Sequence, residues 1–174
     1  MIEDIFLKSA VQQFKDYKAM ADKTFDQIAD EKFAYAPGEK SNCLSTIIRH
    51  MHGNMLSRWT NFLTEDGEKE WRRRDEEFEE AHLTKEALLV LWNQGWDVLF
   101  EALYALTPAD LEKIIFIRTK PLTVVEAIHR QLTHYAAHVG QIIYLGKIIM
   151  GGSWQTLSIA KGASGAFNET MKHA

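Results

Sequence analysis

His134 and His138 stand four residues apart in a stretch of helical periodicity. That spacing brings two imidazoles to one side of a helix about one turn apart, where they can chelate a single metal ion. His129, five residues before His134, points roughly 140° away at 3.6 residues per turn and falls outside such a site. The other histidines are His50, His52, His82 and His173. Of these, the segment Arg49-His50-Met51-His52 lies on a second helical stretch that can face the first across a bundle core and supply a third ligand. Periodicity does not choose between its two histidines. His52 lies on the edge of the Leu44, Met51 and Met55 stripe, whereas His50 shares a face with Cys43, Ile47 and Asn54. The plain alternative is a set of hydrogen-bonded or half-exposed histidines holding no ion.

Three neutral imidazoles would leave a divalent ion with open positions for water or substrate, the arrangement of a catalytic site and not of a closed structural one. Such an ion brings the pKa of a bound water toward ~7 and deprotonates a coordinating thiol. Two chemistries follow: attack of a thiolate on an electrophile, and hydrolysis. No catalytic residue beyond the ligands can be assigned from spacing. Gln141, three residues past His138, can hydrogen-bond a ligand histidine or a neighbouring helix. Asn54, one turn after His50, can hold a water or satisfy backbone, and Cys43 reads as a small core residue outside the site. Arg72-Arg73-Arg74 followed by Asp75-Glu76-Glu77 reads first as a solvated, self-neutralising loop. Its functional reading places Arg74 at the pocket mouth, gripping a carboxylate of a thiol cofactor.

Positioning these residues requires long helices, and the sequence supplies four. Phe6, Ala10, Phe14, Tyr17, Ala21, Phe25 and Ile28 mark an amphipathic helix over 2–28. After Ala36-Pro37-Gly38, Ser41 and Asn42 offer caps to a second helix with Leu44, Ile48, Met51, Met55, Trp59 and Phe62 on one stripe, ending near Asp66-Gly67. Thr84 caps a third, with Leu88, Trp92, Trp96, Leu99, Leu103 and Leu106 inward. Pro108 opens a short helical turn, and 114–117 allows a short extended piece. Thr123 and Glu126 form a capping box for a fourth helix running to about Met150 and stopped by Gly151-Gly152. An irregular tail follows, with a short helix around 167–171. The expectation is an all-α four-helix bundle with short extra helical turns, in one domain over 1–174, a length close to the usual size of a single core.

Composition removes several functions. A net charge of -4 is the wrong sign for a protein held to phosphate backbones by counterion release, so no nucleic-acid partner is expected. Cys43 is the only cysteine, which excludes an intramolecular disulfide and fits a reducing cytoplasm. Acids at Glu3 and Asp4 stand where an export signal needs a basic start. The most apolar long stretch, 87–106, carries Asn93, Gln94, Asp97 and Glu101, so no membrane partner is expected either.

The segment His134-Tyr135-Ala136-Ala137-His138-Val139-Gly140-Gln141 resembles the His-x-x-x-His-x-Gly-Gln pattern of the DinB-like proteins, relatives of the bacillithiol- and mycothiol-dependent metalloenzymes. His50-Met51, continuing through Gly53-Asn54-Met55-Leu56-Ser57-Arg58-Trp59, resembles that family's segment with the first metal histidine. Asp66-Gly67-Glu68, Trp71-Arg72, Arg74-Asp75-Glu76-Glu77-Phe78, Arg130-Gln131-Leu132-Thr133, Leu157-Ser158-Ile159 and Phe167-Asn168 resemble a bacillus-type branch, so the likeness runs over 42–168. Ala160 stands where that branch usually has proline. The resemblance implies a four-helix bundle in which His50, His134 and His138 bind zinc or nickel, often in a homodimer. His52 then falls at a spacer position. It further implies a thiol-dependent transferase acting on small electrophilic molecules, with a metal-dependent hydrolase or a non-catalytic metal-binding bundle as rivals.

Overall fold

The computed structural model describes residues 2–172. His173 and the ends of the expected 1–174 domain lie outside the described residues. Four long helices form the body: α1 (Ile2–Phe25), α2 (Leu44–Trp59), α3 (Lys85–Tyr104) and α4 (Val124–Met150). Strands β1 (Ile114–Ile117) and β2 (Lys120–Thr123) make an antiparallel hairpin before α4, and a short α5 (Ser164–Met171) closes the tail. The fold is the expected all-α bundle. Helix α2 packs chiefly on α3 and α1 on α4, with α2 also touching α4.

The apolar stripes meet as their spacing requires. Phe14, Phe25, Met51, Met55, Trp92, Trp96 and Tyr135 are all fully buried, and an apolar side chain of this size contributes roughly 1.5–3 kcal/mol when removed from water. Trp92 and Trp96 meet edge to face at 5.5 Å, and Trp92 Nε1 donates to Asp22 Oδ1 at 2.7 Å across to α1. Among the described residues no helix is long and apolar enough to cross a membrane.

Helix ends follow local chemistry, with some differences from the sequence reading. Thr84 caps α3 by accepting from Ala87 N–H, and the Thr123–Glu126 capping box opens α4, which stops at Gly151 with φ 51°. Helix α1 stops at Phe25, short of Ile28. The following amides turn to tighter bonds onto Thr24 and Phe25, and the Lys85 ammonium caps the Phe25 and Ile28 carbonyls at 2.7 and 2.8 Å. Ser41 and Asn42 do not cap α2. Cys43 takes that position, and Ser45 N–H donates to the Phe33 carbonyl instead. Helix α2 ends at Trp59, well before Asp66-Gly67, because Thr60 is extended and Asn61 enters the left-handed region at φ 49°.

The hairpin is the main departure from a purely helical expectation. Its two turn residues, Arg118 and Thr119, have φ of 55° and 63°, a conformation that costs a side-chain-bearing residue about 1–2 kcal/mol. Asp66 holds it there, accepting both amide protons at 2.8 and 2.7 Å, while Gly67 N–H donates to Phe116 O at 2.8 Å. The loop after α2 and the hairpin before α4 thus form one clasp at one end of the bundle.

Candidate metal centre

His50 projects from the middle of α2, and His134 and His138 from successive turns of α4. Their nearest ligand nitrogens lie within 4.8 Å of one another. His134 Nε2 is 3.0 Å from His138 Nε2 and 3.5 Å from His50 Nε2. Three nitrogens bound tetrahedrally at a zinc-type bond length would be about 3.3 Å apart, so the spacing fits one ion.

The opposite nitrogens set the tautomers. His50 Nδ1–H donates to Glu77 Oε2 at 2.9 Å, and His138 Nδ1–H donates to the Gln141 amide oxygen at 2.9 Å. Each of these rings, when neutral, presents a bare lone pair at Nε2 toward the common centre. Glu77 is itself fixed by Arg72, whose Nε and Nη2 donate to its two oxygens at 2.7 and 2.9 Å. Burial alone would raise the Glu77 carboxyl, but hydrogen bonds from His50 and Arg72 hold it below the usual carboxylate range.

The same surroundings favour the neutral form of His134 and His138. Burial, then the facing His138 and His50 rings, then Arg130 and Arg58, push His134 down to about 3. Burial also lowers His138, against the Gln141 hydrogen bond. A histidine whose folded pKa is depressed stabilises the fold fully above its unfolded value near 6.5 and progressively less as pH falls toward the folded value. The metal-stripped protein is therefore expected to lose stability between pH 6.5 and 3, and denaturant unfolding at pH 7 and pH 5 checks this. Equal stability at both would contradict the lowered pKa of His134 and His138.

A family model described as a protein of unknown function (DUF1572) matches residues 2–163, nearly the whole chain. The chain belongs to the DUF1572 family. DUF1572 is one of the DinB-like families, which agrees with the resemblance carried by the histidine segments. No curated protein matches the sequence.

In this DUF1572 protein two of the three histidines, His50 and His134, line a pocket of about 360 Å³ together with Asn54, Arg58, Arg72, Arg74, Arg118, Arg130, Gln131 and Thr133. Arg74 is at this pocket, its side chain about half exposed and its guanidinium 5.1 Å above the Phe78 ring, which lies against His50. His52 is not part of the triad; burial lowers its pKa and it hydrogen-bonds Gln94 toward α3. His129 meets the edge of Phe6, as its angular offset requires. Asn54 also bonds across to α4. It accepts the Tyr135 hydroxyl at 3.0 Å, and that hydroxyl in turn accepts Trp59 Nε1–H at 3.2 Å, tying α2 to α4 beneath the histidines. Cys43 sits at the start of α2 beside Thr46.

The basic-acidic run is not the solvated loop that its composition suggests. Arg72 and Glu77 are buried, and Arg49 donates to the Glu76 and Glu79 carbonyls, docking the turn over His50. Sequence reasoning missed Glu77 and Arg72 as support for the site, and also Arg58, Arg118 and Arg130 as its lining. No local signal marks Glu77, which is 27 residues from the histidine it orients.

Proposed function

We propose that this protein is a metal- and thiol-dependent S-transferase acting on electrophilic small molecules, with His50, His134 and His138 holding zinc or nickel. The observation that carries the reading is the convergence of three imidazoles, two of which, His50 and His134, line an open polar pocket, since a structural ion is normally enclosed by four protein ligands. A divalent ion in such a site supplies a thiolate at neutral pH from a thiol that would otherwise be protonated.

The chain's own groups do the rest. Glu77 and Gln141 hold two rings in one tautomer, and Tyr135 with Asn54 fixes the spacing of the helices that carry them. Arg74, at the mouth, holds a carboxylate of the thiol cosubstrate. Among the described residues no aspartate, glutamate, lysine or tyrosine lines the pocket, and Glu77 is already engaged by Arg72 and His50. The ion can activate either water or a thiol, and the arginine-rich lining favours an anionic thiol cosubstrate over water. The bacillus-type likeness favours a bacillithiol-type thiol, a cytoplasmic setting and a homodimer.

The test is conjugation of monochlorobimane by the zinc- or nickel-loaded protein with bacillithiol, cysteine or coenzyme A. Turnover that depends on one thiol and is lost in His134→Ala is the expected result. Absence of turnover with every thiol, in protein shown to hold metal, would overturn the proposal.

A further inference from the structure

Five of the chain's seven arginines, and among the described residues no lysine, line the pocket that His50 and His134 share, in a protein whose net charge is -4. Guanidiniums cannot shed their protons at accessible pH, so such a cluster is relieved only by anions. Two carboxylates bond to it. Glu77 takes Arg72, and Glu68 takes Arg58 at 3.0 Å and Arg118 at 2.7 Å. Asp66 is committed to the backbone amides of the hairpin turn. Among the described residues Arg130 bonds to no carboxylate, and Arg74 approaches only Asp75, at 3.8 Å, whose side chain is 99% exposed.

Two further features point to a ligand. Gln131, 2% exposed and in the pocket wall, has a buried Oε1 with no hydrogen-bond partner, and Arg58 has the same deficit at Nε. Buried polar groups left unpaired are rare, and one in a pocket wall suits a ligand's own polar groups. The left-handed turn also carries Arg118, where glycine or asparagine would sit at lower cost, so strain is maintained at the residue that lines the pocket.

We infer that this pocket seats an oxyanion group, carboxylate or phosphate, of the molecule that reacts at the triad, with Arg130 and Arg74 as its main donors, Arg118 at the rim, and an adjacent O–H or N–H of the ligand donating to Gln131. Arg130 stands one helical turn before His134, so the anion lies beside the reacting group and orients it. The inference rests on the reading of the triad as the reaction centre, but the subsite itself requires no metal.

Succinate, inorganic phosphate and neutral succinamide are titrated into protein stripped of metal, with binding followed by calorimetry and by amide chemical shifts. Saturable binding of succinate or phosphate, but not succinamide, is expected, weakened about tenfold or more in the Arg74→Gln, Arg130→Gln pair and unchanged in Lys147→Gln. Whichever of succinate and phosphate binds identifies the group as carboxylate or phosphate. Both substituted arginines are exposed, and unchanged thermal unfolding confirms that the variant is folded. Three results overturn the subsite: no saturable anion binding, binding indifferent to the arginine pair, or binding confined to metal-loaded protein, which would make the anion an ordinary metal ligand. The two proposals fail separately. Arginine-dependent binding without thiol turnover removes the transferase, whereas turnover undiminished in the arginine pair removes the subsite.

Discussion

His134→Ala is expected to lower the affinity for zinc or nickel by more than about 100-fold, beyond the 10–100-fold typical of losing a supporting group, because it removes the ring whose Nε2 lies 3.5 Å from that of His50 and 3.0 Å from that of His138. His50→Ala should act likewise. His52→Ala should leave binding within about threefold, although His52 is two residues from His50, because on a helix that step turns the side chain to the far side, and there it meets Gln94. Elemental analysis and competition with a chromophoric chelator measure all three. Retention of one ion per chain in His134→Ala would remove the triad from consideration, and loss in His52→Ala would reassign the third ligand. The His134→Ala protein should nonetheless fold: that ring is only partly buried, and the apolar core of α4, through Tyr135, Val139 and Ile142, is untouched.

The parts of this site legible in the sequence are those fixed by helical period. The i, i+4 pair, the turn of offset that excludes His129, and the capping box at Thr123 and Glu126 are consequences of local backbone geometry, and each stands where spacing puts it. The choice of His50 over His52 was not local. Both lie near the apolar stripe, and what separates them is the crossing of α2 against α4 on one side and α3 on the other, which brings His52 up to Gln94. The carboxylate that orients His50 was hidden for a related reason. A run of three arginines and three acids has the composition of a solvated loop, and only the docking of that loop by Arg49 buries Arg72 and Glu77 while leaving Arg73, Arg74 and Asp75 in water. The hairpin is only partly legible because a four-residue strand carries too short a pattern, and its turn lacks the glycine or asparagine that usually announces one. Asp66, 52 residues earlier, supplies that conformation from outside the hairpin.

Substitution at Glu77 separates what the arginine-rich loop does for the fold from what it does for the site. Glu77→Ala leaves Arg72, whose side chain is 2% exposed, as a buried unpaired guanidinium, a loss expected to cost about 3–5 kcal/mol. Glu77→Gln keeps the shape and an acceptor for His50 but removes the charge, so its stability cost should be smaller. Its metal affinity should still fall roughly 10–100-fold, because a neutral amide polarises the His50 ring less than a carboxylate does. The pH dependence has a definite sign. A carboxyl held below its usual range stabilises the fold above the unfolded value near 4.5, and that contribution is lost as pH falls through the lower folded value, so Glu77→Gln should show a weaker acid limb than wild type. The decisive variant replaces both partners, Arg72→Leu with Glu77→Leu. Exchanging a buried ion pair for apolar groups is often close to neutral for stability. If Glu77 positions His50, the double variant recovers most of the stability lost in Glu77→Ala, yet binds zinc or nickel as weakly as the single variants. Wild-type metal affinity in the double variant would show instead that the pair serves only the loop.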